Sequence, residues 1–157
     1  METIPNVTVG ENERGVHFKR FGGGVDTSVV YLPGEYYIPP FDRLILYRLN
    51  SRSGKEAIEI VSKNEVKITV FVEYSFKPIP EKIAQLHYFI GTDIHNYLVK
   101  PKINSAVKDY FQDYPSNEIS LVDKIKFEGE LFNIAKRKIA ERYIELEAFK
   151  ISEFVHQ

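Results

Sequence analysis

The clearest pattern along the chain is an alternation of apolar and polar residues from Val66 to Lys77, which reads VKITVFVEYSFK. A period of two predicts a β-strand that buries one face. Phe71 is an apolar residue on the polar face, which indicates that this face is partly covered. The polar tetrapeptide 62–65 separates the strand from an apolar run at 57–61, and its Asn64 tolerates a positive φ. We therefore expect an antiparallel hairpin within one sheet.

The N-terminal half of the chain is predicted to be mostly strand. Gly15 to Phe21 and Leu44 to Leu49 are rich in β-branched, aromatic or aliphatic residues, and the glycines at 22–24 form a tight turn after the first run. Between these strands, Tyr31 to Phe41 reads YLPGEYYIPPF, and its adjacent prolines prevent regular pairing. We predict a loop with an apolar, aromatic tip.

After Pro78 the apolar period changes to about 3.6 residues, which predicts helices. The first helix is expected to begin at Pro80 and to stop at Gly91. The second begins at Thr92 or Asp93 and bends near Lys100, ahead of Pro101. One side of the first helix carries its apolar residues together with a histidine: Ile83, Leu86, His87 and Ile90.

A third helix is predicted from the capping box at Ser120–Asp123 onward, followed by a final strand or short extension from Ile144 to Val155. Its apolar stripe is predicted to contain Leu121, Ile125, Phe132, Ala135, Ile139 and Tyr143. Together the elements predict an α+β fold, with an N-terminal antiparallel β-sheet and helices packed on it. We expect a flexible N-terminal segment at 1–12 and a single domain at 13–157, because 157 residues suit one core.

Composition argues against several classes of partner. The 21 basic and 22 acidic residues leave a formal charge of −1, so the field that draws a protein to nucleic acid is missing. The chain has no cysteine for a disulfide or thiolate ligand. Its apolar runs are far shorter than the roughly 20 residues of a membrane-spanning helix. We expect this piece to be water-soluble and to bind no nucleic acid.

Residues able to carry out chemistry do not cluster in the sequence. The glycines at 22–24 lack the residues of a phosphate-binding loop, and the four histidines lack metal-ligand spacing. None of the serines lies in a nucleophile motif. Glu145 and Glu147 would share one side of a strand, where a solvated face is the simpler interpretation. We predict no catalytic residue, metal site or cofactor; a small hydrolase that uses dispersed Ser, His and Asp residues is a less favoured alternative.

The aromatic tip of the predicted loop is the candidate functional surface. Aromatic rings with polar edges favour membrane interfaces, and an exposed apolar patch usually marks a contact. The competing interpretation is a loop that folds back on the core as a lid. The predicted membrane or partner contact comprises Tyr36, Tyr37, Ile38, Pro39, Pro40 and Phe41.

Several short motifs follow one another in order between Glu13 and Phe154. They are ERGV at 13–16, RFGGG at 20–24, PGEYYIPP at 33–40, Arg52, SKN at 62–64, FIGTD at 89–93, KP at 100–101 and SAV at 105–107. In this order they resemble the stomatin/prohibitin/flotillin domain, also called the SPFH or band 7 domain, and within it the bacterial prohibitin-like group.

This resemblance implies a non-enzymatic, membrane-associated scaffold that assembles with itself or with a paralogue and organises or regulates membrane proteins such as proteases. The family's membrane-facing loop would correspond to 36–41. Members usually carry an apolar anchor before the domain and a coiled coil after it. The sequence shows neither, so we interpret the chain as an excised piece or a minimal member. A soluble protein-binding module without membrane contact is the alternative.

Overall fold

The computed structural model describes residues 6–89 and 93–156, which divide into two compact units. The first unit contains residues 6–50 and 78–89, and the second contains residues 51–77 and 93–156. Antiparallel sheets and helices make the architecture α+β, as the sequence predicts. The prediction of a single domain at 13–157 stays a prediction.

The first unit contains two small antiparallel sheets and a short helix. Its strands are β1 (Val7–Val9), β2 (Glu13–Lys19), β3 (Gly24–Val25), β4 (Gly34–Tyr36) and β5 (Arg43–Arg48). Strand β2 pairs with β3 and β5, whereas β1 pairs with β4. A 3-10 turn at Pro80–Lys82 leads into α1 (Ile83–Phe89), which packs on β2 and β3.

Two sequence expectations for the first unit change in detail. Residues 7–9, inside the segment expected to be flexible, form a strand because Val7, Thr8 and Val9 pair with β4. The predicted loop is therefore strand at 34–36. The apolar side of α1 is confirmed for Ile83 and Leu86, which are fully buried. Ile90, Gly91 and Thr92, the predicted helix boundary, lie outside the described residues.

The second unit is built on one three-stranded sheet with two helices. Its elements are β6 (Arg52–Val61), β7 (Lys67–Pro78), α2 (Lys100–Phe111), α3 (Lys124–Ala140) and β8 (Ile144–His156). The sheet order is β6-β7-β8. Helix α3 packs on β8, and α2 packs on β6 and α3.

The alternation in β7 is confirmed. Every second side chain from Ile68 to Phe76 is buried, and Phe71 on the other face is partly covered. Strands β6 and β7 form the predicted hairpin. Its positive φ of 64° lies at Glu65 rather than at Asn64. The Asn64 side chain is engaged elsewhere, because its Oδ1 accepts the backbone N–H of Ser116 at 2.8 Å.

The predicted stripe of the third helix is wrong at both ends, and Tyr143 lies beyond α3, which ends at Ala140. Leu121 lies in a 3-10 turn at Leu121–Asp123, and Ser120 makes no side-chain capping bond. The α-helical phase therefore starts at Lys124, which leaves Ile125 85% exposed. The face that enters the core comprises Phe127, Leu131, Ala135 and Ile139.

The predicted bend near Lys100 is a change of helix type. Residues His95–Val99 form a π-helical turn, and α2 begins at Lys100 with Pro101 in its first turn. Pro101 has no backbone N–H and cannot continue the hydrogen-bond ladder, and the π-helical turn directly before it accommodates this interruption.

Candidate membrane-contact surface

The predicted aromatic tip connects β4 to β5, and the structure separates its residues by exposure. Tyr37 and Phe41 are 51% and 62% exposed, and both prolines are exposed. Tyr36 is half-buried. Ile38 is only 3% exposed, so its place in the predicted contact is wrong. Asn6 holds it inward, because its side-chain amide donates to the Ile38 carbonyl at 3.0 Å and accepts from the Ile38 N–H at 2.9 Å.

A second tip, missed in the sequence, reaches the same surface from the turn between β2 and β3. Phe21 is 78% exposed, and its ring meets that of Phe41 edge-on at a centroid distance of 5.7 Å. Gly23 and Gly24 have φ of +98° and +81°, which glycine tolerates best. The signal available in the sequence was a large apolar residue placed directly before a glycine turn.

Asp42 connects the two tips. One carboxylate oxygen lies 2.9 Å from Nε2 of His17, and the other accepts the backbone N–H of Arg20 at 3.2 Å. The second ring nitrogen of His17 lies 3.0 Å from the Tyr31 hydroxyl. Since His17 is buried in β2, this network anchors both tips to the sheet.

Basic side chains border the exposed rings. The Arg20 guanidinium lies 5.4 Å from the centre of the exposed Phe21 ring, and the Arg43 guanidinium lies 5.3 Å from the centre of the half-buried Phe18 ring. Lys19 pairs with Asp26 at 3.4 Å. The hydrogen bonds from Ser28 lower the pKa of Asp26, which keeps this carboxylate charged. Apolar rings beside cations suit a lipid interface, where the rings enter the boundary and the cations meet anionic headgroups.

Tyr47 and His87 form a further ionisable pair in the first unit, in which the tyrosine hydroxyl and Nδ1 are hydrogen-bonded. Burial raises the pKa of Tyr47 to about 12. Burial, with a smaller contribution from Arg43, lowers the pKa of His87. Both shifts favour the neutral forms, so the pair suits internal packing better than the binding of an ion.

The second unit contains a polar network that the sequence did not reveal. The Tyr74 hydroxyl donates to Glu56 at 3.0 Å and lies 2.6 Å from Nε2 of His95. Lys100 pairs with Glu56 at 3.7 Å. Gly54 leaves the space for this contact, because a Cβ there would lie 2.6 Å from the Tyr74 hydroxyl oxygen. Burial raises the pKa of Tyr74, and this buried hydroxyl holds the sheet against the π-helical turn.

A hydrolase of the predicted kind would need a serine hydroxyl close to a histidine ring. Within 6–89 and 93–156, no serine hydroxyl is hydrogen-bonded to a histidine side chain. Glu145 and Glu147 both face Lys77, at 3.9 and 3.7 Å. No group of three or more His, Asp or Glu residues in that part of the chain could hold a metal ion.

Comparison with known proteins identifies the family. The model of the SPFH domain / Band 7 family matches residues 7–155. The chain belongs to this family. Members of the SPFH domain / Band 7 family are generally membrane-associated, non-catalytic scaffolds, and they typically form oligomers. No curated protein matches the chain.

Family membership confirms the resemblance read from the short motifs, and it fits a surface whose exposed side chains are rings instead of reactive groups. Among the helices in the described part of the chain, none has the length and apolar character needed to cross a bilayer.

Proposed function

We propose that this SPFH domain is a non-enzymatic scaffold that contacts a membrane through an aromatic surface and assembles with copies of itself or with a paralogue. The aromatic surface consists of the exposed side chains of Phe21, Tyr37, Pro39, Pro40 and Phe41. The observation that carries the proposal is the pairing of two exposed phenylalanines from separate turns, both anchored by Asp42.

A single aromatic surface would bind a membrane only weakly, so firm attachment requires several copies. Transfer of one phenylalanine side chain out of water is worth about 1.5–3 kcal/mol. The paired rings of Phe21 and Phe41 would therefore give a weak, reversible attachment, with some help from Arg20 on an anionic surface. Several copies joined in one assembly would add their contacts and bind much more firmly.

An exposed apolar surface in the second unit supports assembly. Val122, in the 3-10 turn before α3, is 91% exposed, and Ile125, in the first turn of α3, is 85% exposed. Exposed apolar side chains that lie together usually mark a protein contact. Gly129 follows one turn after Ile125, with no atom within 4 Å of the position a Cβ would take. A neighbouring backbone could approach the helix closely there. The partners we propose are a second copy or a paralogue, together with a membrane protein such as a protease that the assembly regulates.

Liposome flotation tests the membrane contact, with vesicles of phosphatidylcholine and phosphatidylserine. We expect Phe21→Ser combined with Phe41→Ser to lower the bound fraction by about tenfold or more, because both rings leave the interface. The matched control is Tyr97→Ser combined with Val61→Ser, which removes two exposed apolar side chains of the second unit. Ile38 is left intact, since replacing a buried residue would disturb folding.

Equal flotation of both double variants, or no flotation of the unmodified chain, would contradict the membrane contact and favour the soluble binding module. Assembly has its own measurement, sedimentation velocity over a range of protein concentrations. Val122→Ser combined with Ile125→Ser should move association to at least about tenfold higher concentration. Unchanged association would exclude this surface as the contact between copies.

A further inference from the structure

Strand β5 forms one edge of the sheet β3-β2-β5 in the first unit. Its side toward β2 is paired along its whole length, from Arg43 opposite Phe18 to Arg48 opposite Glu13. Among the residues that the structure describes, no strand pairs with its other side. An unpaired edge is a template for a further strand, because its backbone N–H and C=O groups need partners. The open side of β5 is therefore a candidate contact that the aromatic surface does not use.

The alternation of the ladder shows which backbone groups of β5 are free. In β2, Gly15 exchanges its backbone hydrogen bonds with Tyr31, at 3.0 and 2.9 Å, so its backbone groups point away from β5. Leu46 lies directly opposite Gly15, and the direction alternates along an antiparallel strand. Leu44, Leu46 and Arg48 therefore point their N–H and C=O groups to the open side. No hydrogen bond within the described part of the chain occupies these groups.

The centre of β5 lacks the protection that edge strands usually carry, such as a lysine, a proline or a bulge. Three apolar residues follow one another there, Leu44, Ile45 and Leu46, and Leu46 is 41% exposed. Strand β8, at an edge of the sheet in the second unit, differs in this respect. The N–H of Ile151 in β8 donates to the Glu128 carboxylate at 2.8 Å. The centre of β5 has no such cover and is open to pairing.

The sequence around Ile45 is self-complementary for antiparallel pairing. It reads DRLILYR from Asp42 to Arg48. We consider two copies of β5 that run antiparallel, with Ile45 of one opposite Ile45 of the other. Leu44 then lies opposite Leu46 of the second copy, and both residues point their free backbone groups toward each other, so each leucine pair can exchange two N–H···O bonds. In the same register Arg48 lies opposite Asp42.

The charges at the two ends of this register are able to pair. Arg48 is exposed and forms no ion pair within the described residues. Its cross-strand neighbour Glu13 accepts a backbone N–H instead. The carboxylate oxygens of Asp42 each bind one group, His17 and the Arg20 backbone, and keep further acceptor sites. Opposite charges directly across a ladder stabilise it, so the second copy supplies the partner that Arg48 lacks.

We propose that two copies of this chain pair through the open edges of β5, antiparallel and with Ile45 at the two-fold axis, so that the two sheets join into one. The axis is perpendicular to the sheet. The aromatic surfaces lie where β2 ends and β5 begins, so those of the two copies point to opposite ends of the joined sheet. Only one of them can meet a given flat membrane. This inference goes beyond the scaffold function, because the pair forms without lipid and apart from the contact at Val122 and Ile125.

Covalent trapping suits this contact, because a pairing of one short strand buries little surface and is readily reversible. The chain has no cysteine, so a single introduced cysteine reports its own neighbours. In the proposed register the two Ile45 positions form a non-hydrogen-bonded pair with Cα atoms about 4.5 Å apart, within reach of a disulfide. The two Arg43 positions would lie about 14 Å apart, which is too far.

Ile45→Cys is compared with Arg43→Cys under oxidation by copper phenanthroline, in the absence of vesicles. We expect at least about tenfold more disulfide-linked dimer for Ile45→Cys, although position 43 is the more exposed of the two. Equal yields at the two positions would indicate random collision and overturn the proposal. The absence of a dimer at position 45 would overturn it as well and leave the edge to another polypeptide.

Two further changes, each made in the Ile45→Cys chain, test the register. Leu46→Lys places a charge at the centre of the edge and should lower the dimer yield by about tenfold. Arg48→Glu brings a carboxylate opposite Asp42 and should lower the yield by roughly threefold. Its control is Arg142→Glu, an equal change of charge at an exposed position of the second unit, which should leave the yield unchanged. Equal yields for the two charge reversals would contradict the register.

The exposed residues before and at the start of α3 separate this pairing from the scaffold function. Val122→Ser combined with Ile125→Ser should leave the dimer yield of Ile45→Cys unchanged. A normal yield in a chain that neither floats with vesicles nor forms larger assemblies would contradict the scaffold function and support the β5 pair. Normal flotation and assembly without a dimer at position 45 would support the scaffold and contradict the β5 pair.

Discussion

The two compact units of this SPFH domain use aromatic residues in opposite ways. In the second unit, Phe111 of α2 and Phe127 of α3 are fully buried, and their rings meet edge-on at a centroid distance of 5.2 Å. In the first unit, Phe21 and Phe41 form a similar edge-on pair at 5.7 Å, but both are largely exposed. The same side-chain chemistry therefore stabilises one unit and equips the other for contact.

The strands show a related difference. Those of the second unit run for 10 to 13 residues, whereas those of the first have two to seven. A long strand buries more side chains than a short one, so the second unit can form a larger core. Short strands end in many turns, and these turns are the places from which exposed side chains project. We infer that the first unit presents exposed side chains for contact, whereas the second unit contributes most of the stability.

Removing a ring from each pair should give the largest contrast. Phe127→Ala leaves a cavity in the core and should lower the free energy of unfolding by about 3–5 kcal/mol. Phe41→Ala removes an exposed ring and should cost less than about 1 kcal/mol. Denaturant unfolding followed by circular dichroism measures both. Similar losses for the two variants would contradict the division of roles.

The support beneath the aromatic surface should give the next largest effect. Asp42→Ala removes the acceptor for His17 and for the Arg20 backbone, and should lower the free energy of unfolding by about 1–3 kcal/mol. Hydrogen exchange at 37–41 should accelerate as well. The control is Asp109→Ala, because this exposed aspartate pairs with Lys138 at 3.8 Å on the surface, and its loss should cost less than about 1 kcal/mol. Unchanged exchange at 37–41 would show that Asp42 does not hold the tips.

High pH should destabilise the two units at different pH values. Because the folded pKa of Tyr47 is raised to about 12 from an unfolded value near 10, its contribution to stability is complete below pH 10 and is lost as the pH rises to 12. Tyr74 in the second unit is raised further. Between pH 10 and 12, Tyr47→Phe should lose less stability than the unmodified chain. Circular dichroism measures the unfolding of both proteins, and tyrosinate absorbance measures the ionisation of their tyrosines. Identical pH curves would contradict this role of Tyr47.

The smallest effect is expected at Gly129 on the open side of α3. Alanine favours a helix over glycine by about 1 kcal/mol, and a Cβ there meets nothing within 4 Å. Gly129→Ala should therefore raise the Tm of the isolated chain. If a neighbouring copy packs against this glycine, the same variant should weaken association in sedimentation. A lower Tm would mean that the glycine serves the chain's own fold.

The sequence predicted the elements well where a period repeated over many residues. The alternation in β7 is confirmed because each side chain of a strand must face one of two sides. The sequence-based prediction failed where a single residue decides whether a side chain points into the core or out to solvent. Ile38 turns inward because Asn6, distant in sequence, binds its backbone, and Ile125 turns outward because the α-helical phase begins only at Lys124.

The candidate surfaces show the same limit. The apolar residues at 36–41 indicated one tip. Phe21 lies beside it because β2 pairs with β3 and β5, which the local sequence does not show. The network of Tyr74, Glu56 and His95 is likewise assembled from residues distant in sequence, so no local pattern could indicate it.

The most direct test of the central claim uses a single tryptophan, because the chain has none of its own. Phe41→Trp places the reporter on the aromatic surface, and Tyr97→Trp places it on an exposed position of the second unit. With phosphatidylcholine and phosphatidylserine vesicles, we predict a blue shift and quenching by brominated acyl chains for Trp at 41, with little change at 97. Equal responses at both positions, or none at 41, would contradict membrane contact by the first unit.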